Sequence, residues 1–432
     1  MKKIEFENLQ ETLYNEKLEN GLDVYILPKR GFSKTFATFT TKYGSIDSAF
    51  IPNGKDEEVL VPDGIAHFLE HKMFEKEDGD VFQEFSVQGA SANAFTSFTR
   101  TAYLFSATDK LYENTTTLLN FVQEPYFTEE TVNKEKGIIA QEITMYDDLP
   151  DWRLYFGTIE NMFHNHPVKI DIAGTVESIE DITAEHLYMC YETFYHPTNM
   201  VLFIVGAVEP EEMMNHIKKN QDSKTFSEAA DIVRKFPEEP NNVAIKKRTL
   251  TMDVTKPKLS YGMKCSKMNL SAEEMIIQEL SSGLVLDALF DRSSAFFTKA
   301  YAEGLIDESF SYDFTIERGF GFAMVVSDTE NPELLEEAIR TTLQNAAKDW
   351  PIKESDLNRM RKKKIGQFMR SLNSIEFIAN QFTHYKFNDM NLFDVVPVLE
   401  KMTIEDLKAS FDTFSNEDGH TVFTVVPAEK TE

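Results

Sequence analysis

Apolar residues along this chain keep two spacings, and stretches of each kind follow one another in blocks. Gly21 to Leu27 and Phe36 to Tyr43 are short apolar runs that predict strands. Asp63 to Phe74 and Val81 to Val87 carry apolar residues at helical spacing instead. The first has Asp63 as N-terminal cap; the second has Asp80 as cap and Gly89 just past its end. Ser91 to Phe95 and Thr101 to Thr108 then read as an adjacent strand pair, and helix-patterned stretches start at Asp109, Thr128 and Trp152. Strands first and helices later, without strict alternation, predict an α+β fold with helices packed on a mostly antiparallel or mixed sheet.

The pattern is written twice. At an offset of 220, I-T-A-E-H-L-Y-M-C-Y-E-T-F from Ile182 meets M-T-I-E-D-L-K-A-S-F-D-T-F from Met402. Leu202-Phe203-Ile204-Val205 then falls on Val422-Phe423-Thr424-Val425 without a gap. A second echo at offset 215 sets Phe82 against Phe297, Gly89 against Gly304 and Phe95 against Phe310. Two matches in one order predict two homologous domains from an internal duplication. The polar stretch from Lys218 to Lys247, with its F-P-E-E-P-N-N, reads as the linker. The expected division is therefore 1–217, 218–247 and 248–432.

Charge narrows the function classes. Forty-four Lys plus Arg face 72 Asp plus Glu in 432 residues, a formal charge of −28. That argues against a nucleic-acid binder, which needs a basic face, and against an anionic membrane surface as partner. The only cysteines, Cys190 and Cys265, provide no disulfide framework, so a reducing, cytoplasmic setting is expected. Lys2 and Lys3 have no apolar run behind them, and the Met200–Val208 stretch is too short to span a bilayer.

The chemistry concentrates in D-G-I-A-H-F-L-E-H-K-M-F, Asp63 to Phe74. Ile65, Phe68 and Leu69 share one side of the helix, while His67, Glu70, His71 and Phe74 share the other. Two imidazoles one turn apart can converge on one zinc ion, and Glu70 stands where it can take a proton from water. The order H-x-x-E-H is the inverzincin signature. A chance spacing on a solvated face is the bland reading, and nine histidines in the whole chain make it uncommon. A catalytic zinc usually takes three protein ligands. The helix from Thr128 to Tyr146 has Glu135 and Glu142 inside an apolar stripe of Val132, Ile139, Ile143 and Tyr146. Carboxylates on a core-facing stripe need partners. Glu142 is assigned as third ligand and Glu135 as the acid that orients a histidine.

With these residues assigned, the chain closely resembles the pitrilysin/insulinase family of zinc metallopeptidases, in particular its short-subunit, processing-peptidase-like branch. The motifs are H-F-L-E-H at 67–71, G-A-S-A-N-A-F-T-S at 89–97, E-K-G-I-I-A-Q-E at 135–142 and Y-H-P-T-N-M-V-L-F-I-V-G at 195–206. Overall similarity is nearest to Firmicute members associated with aminopentanol modification of elongation factor P. The resemblance implies a Zn2+ held by His67, His71 and Glu142, with Glu70 as general base and Glu135 as supporting acid. It also implies paired α+β halves of which only the first binds metal. Offset 215 indeed puts Ser282, Val285 and Leu286 opposite His67, Glu70 and His71, and Gln367 falls where Glu142 would be. The segment from Ser91 resembles the family's edge strand, so Ser91, Ala92, Asn93, Ala94 and Phe95 are expected to hold a peptide or unfolded polypeptide as an added strand.

One departure bears on partners. Many active members carry an Arg and a Tyr seven residues apart in the second half, where this chain has Ala300 and Asp307. The resemblance then implies a heterodimer with a related, zinc-less subunit that supplies the pair, with a homodimer as runner-up. The leading function is a zinc endopeptidase; the competing one is a non-catalytic peptide-binding or assembly subunit. Arg359 to Lys364 reads as a solvated helix face, and His164 and His166 as loop residues rather than ligands.

Overall fold

The computed structural model describes residues 1–77, 79–268 and 270–428. The chain forms two compact units, and each is α+β, as the periodicity predicts.

The first unit comprises Met1–Ile143, Asp171–Phe236 and Met369–Phe387. Its seven-stranded sheet runs Lys2–Phe6, Glu11–Lys17, Asp23–Pro28, Met200–Gly206, Thr35–Thr41, Thr101–Ala107, Ser91–Thr96. Only Asp23–Pro28 and Met200–Gly206 are parallel neighbours. Met200–Gly206 is buried along its whole length, which suits an unbroken apolar run covered on both faces. Leu202 and Ile204 enter the main core with the helices of this unit. Phe203 points the opposite way and stacks on Phe382 at 4.5 Å. Phe382 lies on the helix Ile375–Phe387, so a helix encoded in the second half of the sequence covers the first sheet.

The second unit comprises Thr144–Ile170, Pro237–Phe368 and the described part of Asn388–Glu432. Its sheet runs Lys247–Met252, His420–Pro427, Lys258–Lys264, Phe320–Asp328, Ser311–Glu317, again with one parallel pair at the same place. Order and direction repeat the first sheet from Asp23–Pro28 to Ser91–Thr96. Here the covering helix is Pro150–Met162, from the first half of the sequence. Gly157 makes that approach possible: a Cβ there would sit 2.4 Å from the Phe423 ring.

The units therefore differ from the contiguous division at 217 and 248. Each sheet takes one helix from the other half, because an amphipathic stripe states that a helix is covered and not which sheet covers it. Nor is 218–247 a loose linker. Pro210–Asp222 is helical, and Val233–Arg234 pairs with Ala49–Ile51 in the first unit. There Arg234 Nε donates to the buried Asp47 at 2.8 Å. In the second unit Glu239 accepts the backbone N–H groups of His164, Asn165 and His166 at 2.7–2.9 Å and pairs with the buried Lys264.

Strand registers also correct the second repeat. Pairings outward from Phe203 run through Thr38 and Leu104 to Asn93. Those outward from Phe423 run through Ser260 and Val326 to Ser311. Ser311 thus stands for Asn93 and Asp313 for Phe95, while Phe310 precedes the strand. The offset slips by three residues in the turn after Gly304.

Candidate active site

The histidine helix spans Ile65–Met73 and is fixed in the core by Ile65, Phe68 and Leu69, each nearly inaccessible to solvent. Asp63 does not cap it. The N-cap is Gly64, with φ +86°, and no side chain caps the helix there. A Cβ at Gly64 would stand 2.3 Å from the Ala173 carbonyl oxygen, so both the backbone angle and the space require glycine.

The face opposite this anchor is not a solvated one. Glu70 is 8% exposed, and the side chains of His67 and His71 are 13% and 26% exposed. The helix Glu129–Asp147 buries Val132, Ile139 and Ile143, which turns Glu135 and Glu142 toward the two histidines. His71 Nδ1 lies 3.1 Å from Glu135 Oε1. His71 Nε2 and His67 Nε2 lie 3.5 and 3.9 Å from Glu142 Oε2. Two donors on one tetrahedral zinc, each about 2.0–2.1 Å from the ion, stand roughly 3.3 Å apart. The three side chains are therefore close to the spacing a shared ion needs, with their ligand atoms all within 4.8 Å of one another. Two neutral imidazoles and one carboxylate form a donor set suited to zinc.

The two histidines differ in electrostatics, and only His67 is held in the neutral form. Burial, with the neighbouring His71, pushes the His67 pKa down to about 3, so its ring is held neutral, the form a metal ligand requires. Its Nδ1 is buried without a hydrogen-bond partner among the described residues. Burial also works against charging His71, but the hydrogen bond its Nδ1–H donates to Glu135 and the charges of Glu70 and Glu142 outweigh it and raise its pKa. Burial raises the pKa of Glu70, against the opposing pull of Thr96. The Thr96 hydroxyl donates to Glu70 Oε2 at 2.7 Å.

Thr96 ends the strand Ser91–Thr96, which pairs only with Thr101–Ala107 and forms the margin of the sheet. Ala92 and Ala94 pack toward the core, whereas Ser91 and Asn93 are exposed. Asn93 Oδ1 accepts the Ala94 N–H at 2.9 Å. The G-A-S-A-N-A-F-T-S motif includes Thr96, yet the sequence reading gave it no part. Its alternation with Ala92 and Ala94 is the signal that sets it on the core side.

Among the described residues the second unit brings no such group together. On the helix Ala272–Phe290, Ser282, Val285 and Leu286 are all buried. Ala300 is buried as well, and Asp307 pairs with Lys256 at 2.7 Å. His166 is buried and caps the short turn Pro167–Lys169, its Nδ1 accepting the Val168 N–H. Arg359, Lys362 and Lys363 are exposed on the helix Glu354–Ser371, as the reading of a solvated face expects. Among the described residues, His67, His71 and Glu142 form the only group that could hold a metal ion, and no helix is long and apolar enough to cross a membrane.

A duplicated α+β scaffold with one His-His-Glu centre beside a sheet margin defines the class: a metallopeptidase-type fold with a single candidate metal site. Residues 50–176 match the family described as insulinase (peptidase family M16), and residues 181–364 match the one described as the peptidase M16 inactive domain. The chain belongs to the M16, or insulinase, family. It is 58% identical over 427 residues to a Bacillus subtilis protein named an uncharacterized zinc protease, YmfH, covering 99% of each chain. The crystal structure of an M16-like protein from Alicyclobacillus acidocaldarius superposes with a TM-score of 0.94 at 40% identity, over 98% of this chain and 100% of that one. A Helicobacter pylori protease shares the fold, with a TM-score of 0.82 at 18% identity, over 96% of this chain and 99% of that one.

Proposed function

We propose that this chain is a zinc-dependent endopeptidase acting on peptides or extended polypeptide segments. The observation that carries the reading is the convergence of His67, His71 and Glu142, with the buried Glu70 alongside and a sheet margin within one hydrogen bond of it. A zinc ion on these three ligands would supply Lewis acidity, polarising the scissile carbonyl and lowering the pKa of water. Glu70 then takes a proton from the attacking water and returns it to the leaving amine. Glu135 fixes the ring of His71 so that Nε2 is turned toward Glu142. Substrate lies along Ser91, Ala92, Asn93, Ala94 and Phe95 as an added strand, held by main-chain hydrogen bonds.

A second reading rests on Ala300 and Asp307, where many active relatives carry an Arg and a Tyr. On it the chain is a non-catalytic peptide-binding or assembly subunit. Within the first reading the same positions favour a heterodimer with a zinc-less relative that contributes the pair, ahead of a homodimer. The match over 99% of both chains to the Bacillus relative supports the short, two-domain branch. The association with aminopentanol modification of elongation factor P rests on overall resemblance alone. A cytoplasmic setting fits two free, buried cysteines. Zinc analysis with Glu70→Gln separates the readings: a peptidase holds about one zinc per chain, and the variant keeps it while kcat falls at least about 1,000-fold. A chain that binds no zinc, or a variant as active as the parent, ends the peptidase reading.

A further inference from the structure

Thr96 belongs to two systems at once. Its backbone is part of the sheet-margin strand, paired in register with Thr101, and its hydroxyl donates to Glu70 Oε2 at 2.7 Å. Ala92 and Ala94, on the same side of the strand, carry no polar side-chain atom, so Thr96 alone among these three can reach the carboxylate with a donor. Behind it, Thr101 Oγ1 lies 3.4 Å from Thr96 Oγ1 and donates to the buried Tyr43 carbonyl at 2.9 Å. Glu70 Oε1 receives no hydrogen bond from any described side chain. The hydroxyl thus ties down Oε2, alongside a weaker backbone interaction of Thr96 with the same carboxylate.

A hydroxyl is the group that suits such a tie. When Glu70 is ionised, Thr96 donates to it. When Glu70 holds a proton on Oε1, the same hydroxyl still donates to Oε2. An alkyl group of the same shape does neither and leaves a buried carboxylate oxygen without a partner, which is costly in both states. The tie also joins the base to the backbone on which an added strand is laid.

We propose that Thr96 is a positioning residue that holds Glu70 through Oε2 and couples its orientation to the docking of peptide along Ser91–Thr96. The proposal rests on the peptidase reading for its consequence in turnover, and on geometry alone for the contact itself. The test uses full-length Thr96→Val and Thr96→Ser proteins, with zinc content and thermal unfolding measured on each. The valine variant should retain zinc, fold stability and KM within about twofold while kcat drops about 10- to 100-fold. Serine should recover most of that loss. A merely structural role would instead raise KM and lower stability together with kcat. Independently of activity, the infrared carboxylate band of Glu70, identified by its disappearance in Glu70→Gln, should shift in Thr96→Val and return in Thr96→Ser. An unmoved band, or serine and valine variants equally impaired, overturns the proposal. A wild-type chain that cleaves nothing while the band still shifts overturns the peptidase reading and leaves the contact standing.

Discussion

The two units share strand order and direction, yet among the described residues only the first holds a group that could bind a metal ion. Thr183 accepts the His186 N–H ahead of Ala184–Phe194, and Thr403 accepts the Asp406 N–H ahead of Ile404–Phe414. At the positions that the offset of 215 sets against His67, Glu70 and His71, the second unit has Ser282, Val285 and Leu286, all buried. The first arrangement keeps a carboxylate and an imidazole poorly solvated; the second fills the same place with side chains that have little to satisfy. The scaffold is indifferent to the difference, so the candidate chemistry belongs to a handful of side chains and not to the fold.

Reciprocal substitution tests that contrast most severely. Val285→Glu would bury a carboxylate with nothing arranged to receive it and should cost about 3–5 kcal/mol of unfolding free energy. In the zinc-free protein Glu70→Val should cost less than about 1 kcal/mol, because a group held at the expense of stability is removed. Denaturant titrations of the two variants read the asymmetry, and equal losses would erase it.

Acid comes next. The second unit buries His166 neutral, its pKa pushed down to about 4 by burial, with Glu239 and Lys264 nearby acting in opposite directions. In the unfolded chain this ring takes a proton near 6.5, so the unfolded state binds more protons between those values. Stability should therefore fall as pH drops from about 6.5 toward 4, by up to about 3 kcal/mol from this residue. His166→Gln should flatten the dependence in unfolding measured across that range. His67 acts with the same sign in zinc-free protein.

Smaller effects sharpen the comparison. Glu135→Gln weakens the brace on His71 Nδ1 and should lower zinc affinity about 10- to 100-fold in a competition titration, with the fold intact. Thr183→Ala should cost about 1 kcal/mol and Thr403→Ala somewhat more, since Thr403 shares a reciprocal capping box with Asp406 that Thr183 lacks. Markedly unequal costs in thermal unfolding would show that the copies have diverged in packing as well as in chemistry.

Much of the candidate metal site was legible because its cues are local. H-x-x-E-H sets three groups on one helical face by spacing alone, and Glu135 and Glu142 stand out as acids within an apolar stripe. Asp80 caps its helix as its position suggested, accepting the Phe82 N–H. Asp63 did not, because tertiary contact with Ala173 forces Gly64 into a left-handed turn that no cap preference reveals. The polar 218–247 stretch hid Arg234 and Glu239, whose partners Asp47 and Lys264 are distant in sequence. The shift of register after Gly304 was invisible for the same reason: only strand pairing fixes it.

The exchanged helices have a historical consequence. A polypeptide ending near residue 217 would leave Tyr25 and Phe203 bare, since Phe382 shields both. One starting at 248 would strip Leu154 and Gly157 from Phe423. Each half of a duplicated sequence thus came to roof the other's sheet, and removing either would uncover an apolar face in what is left.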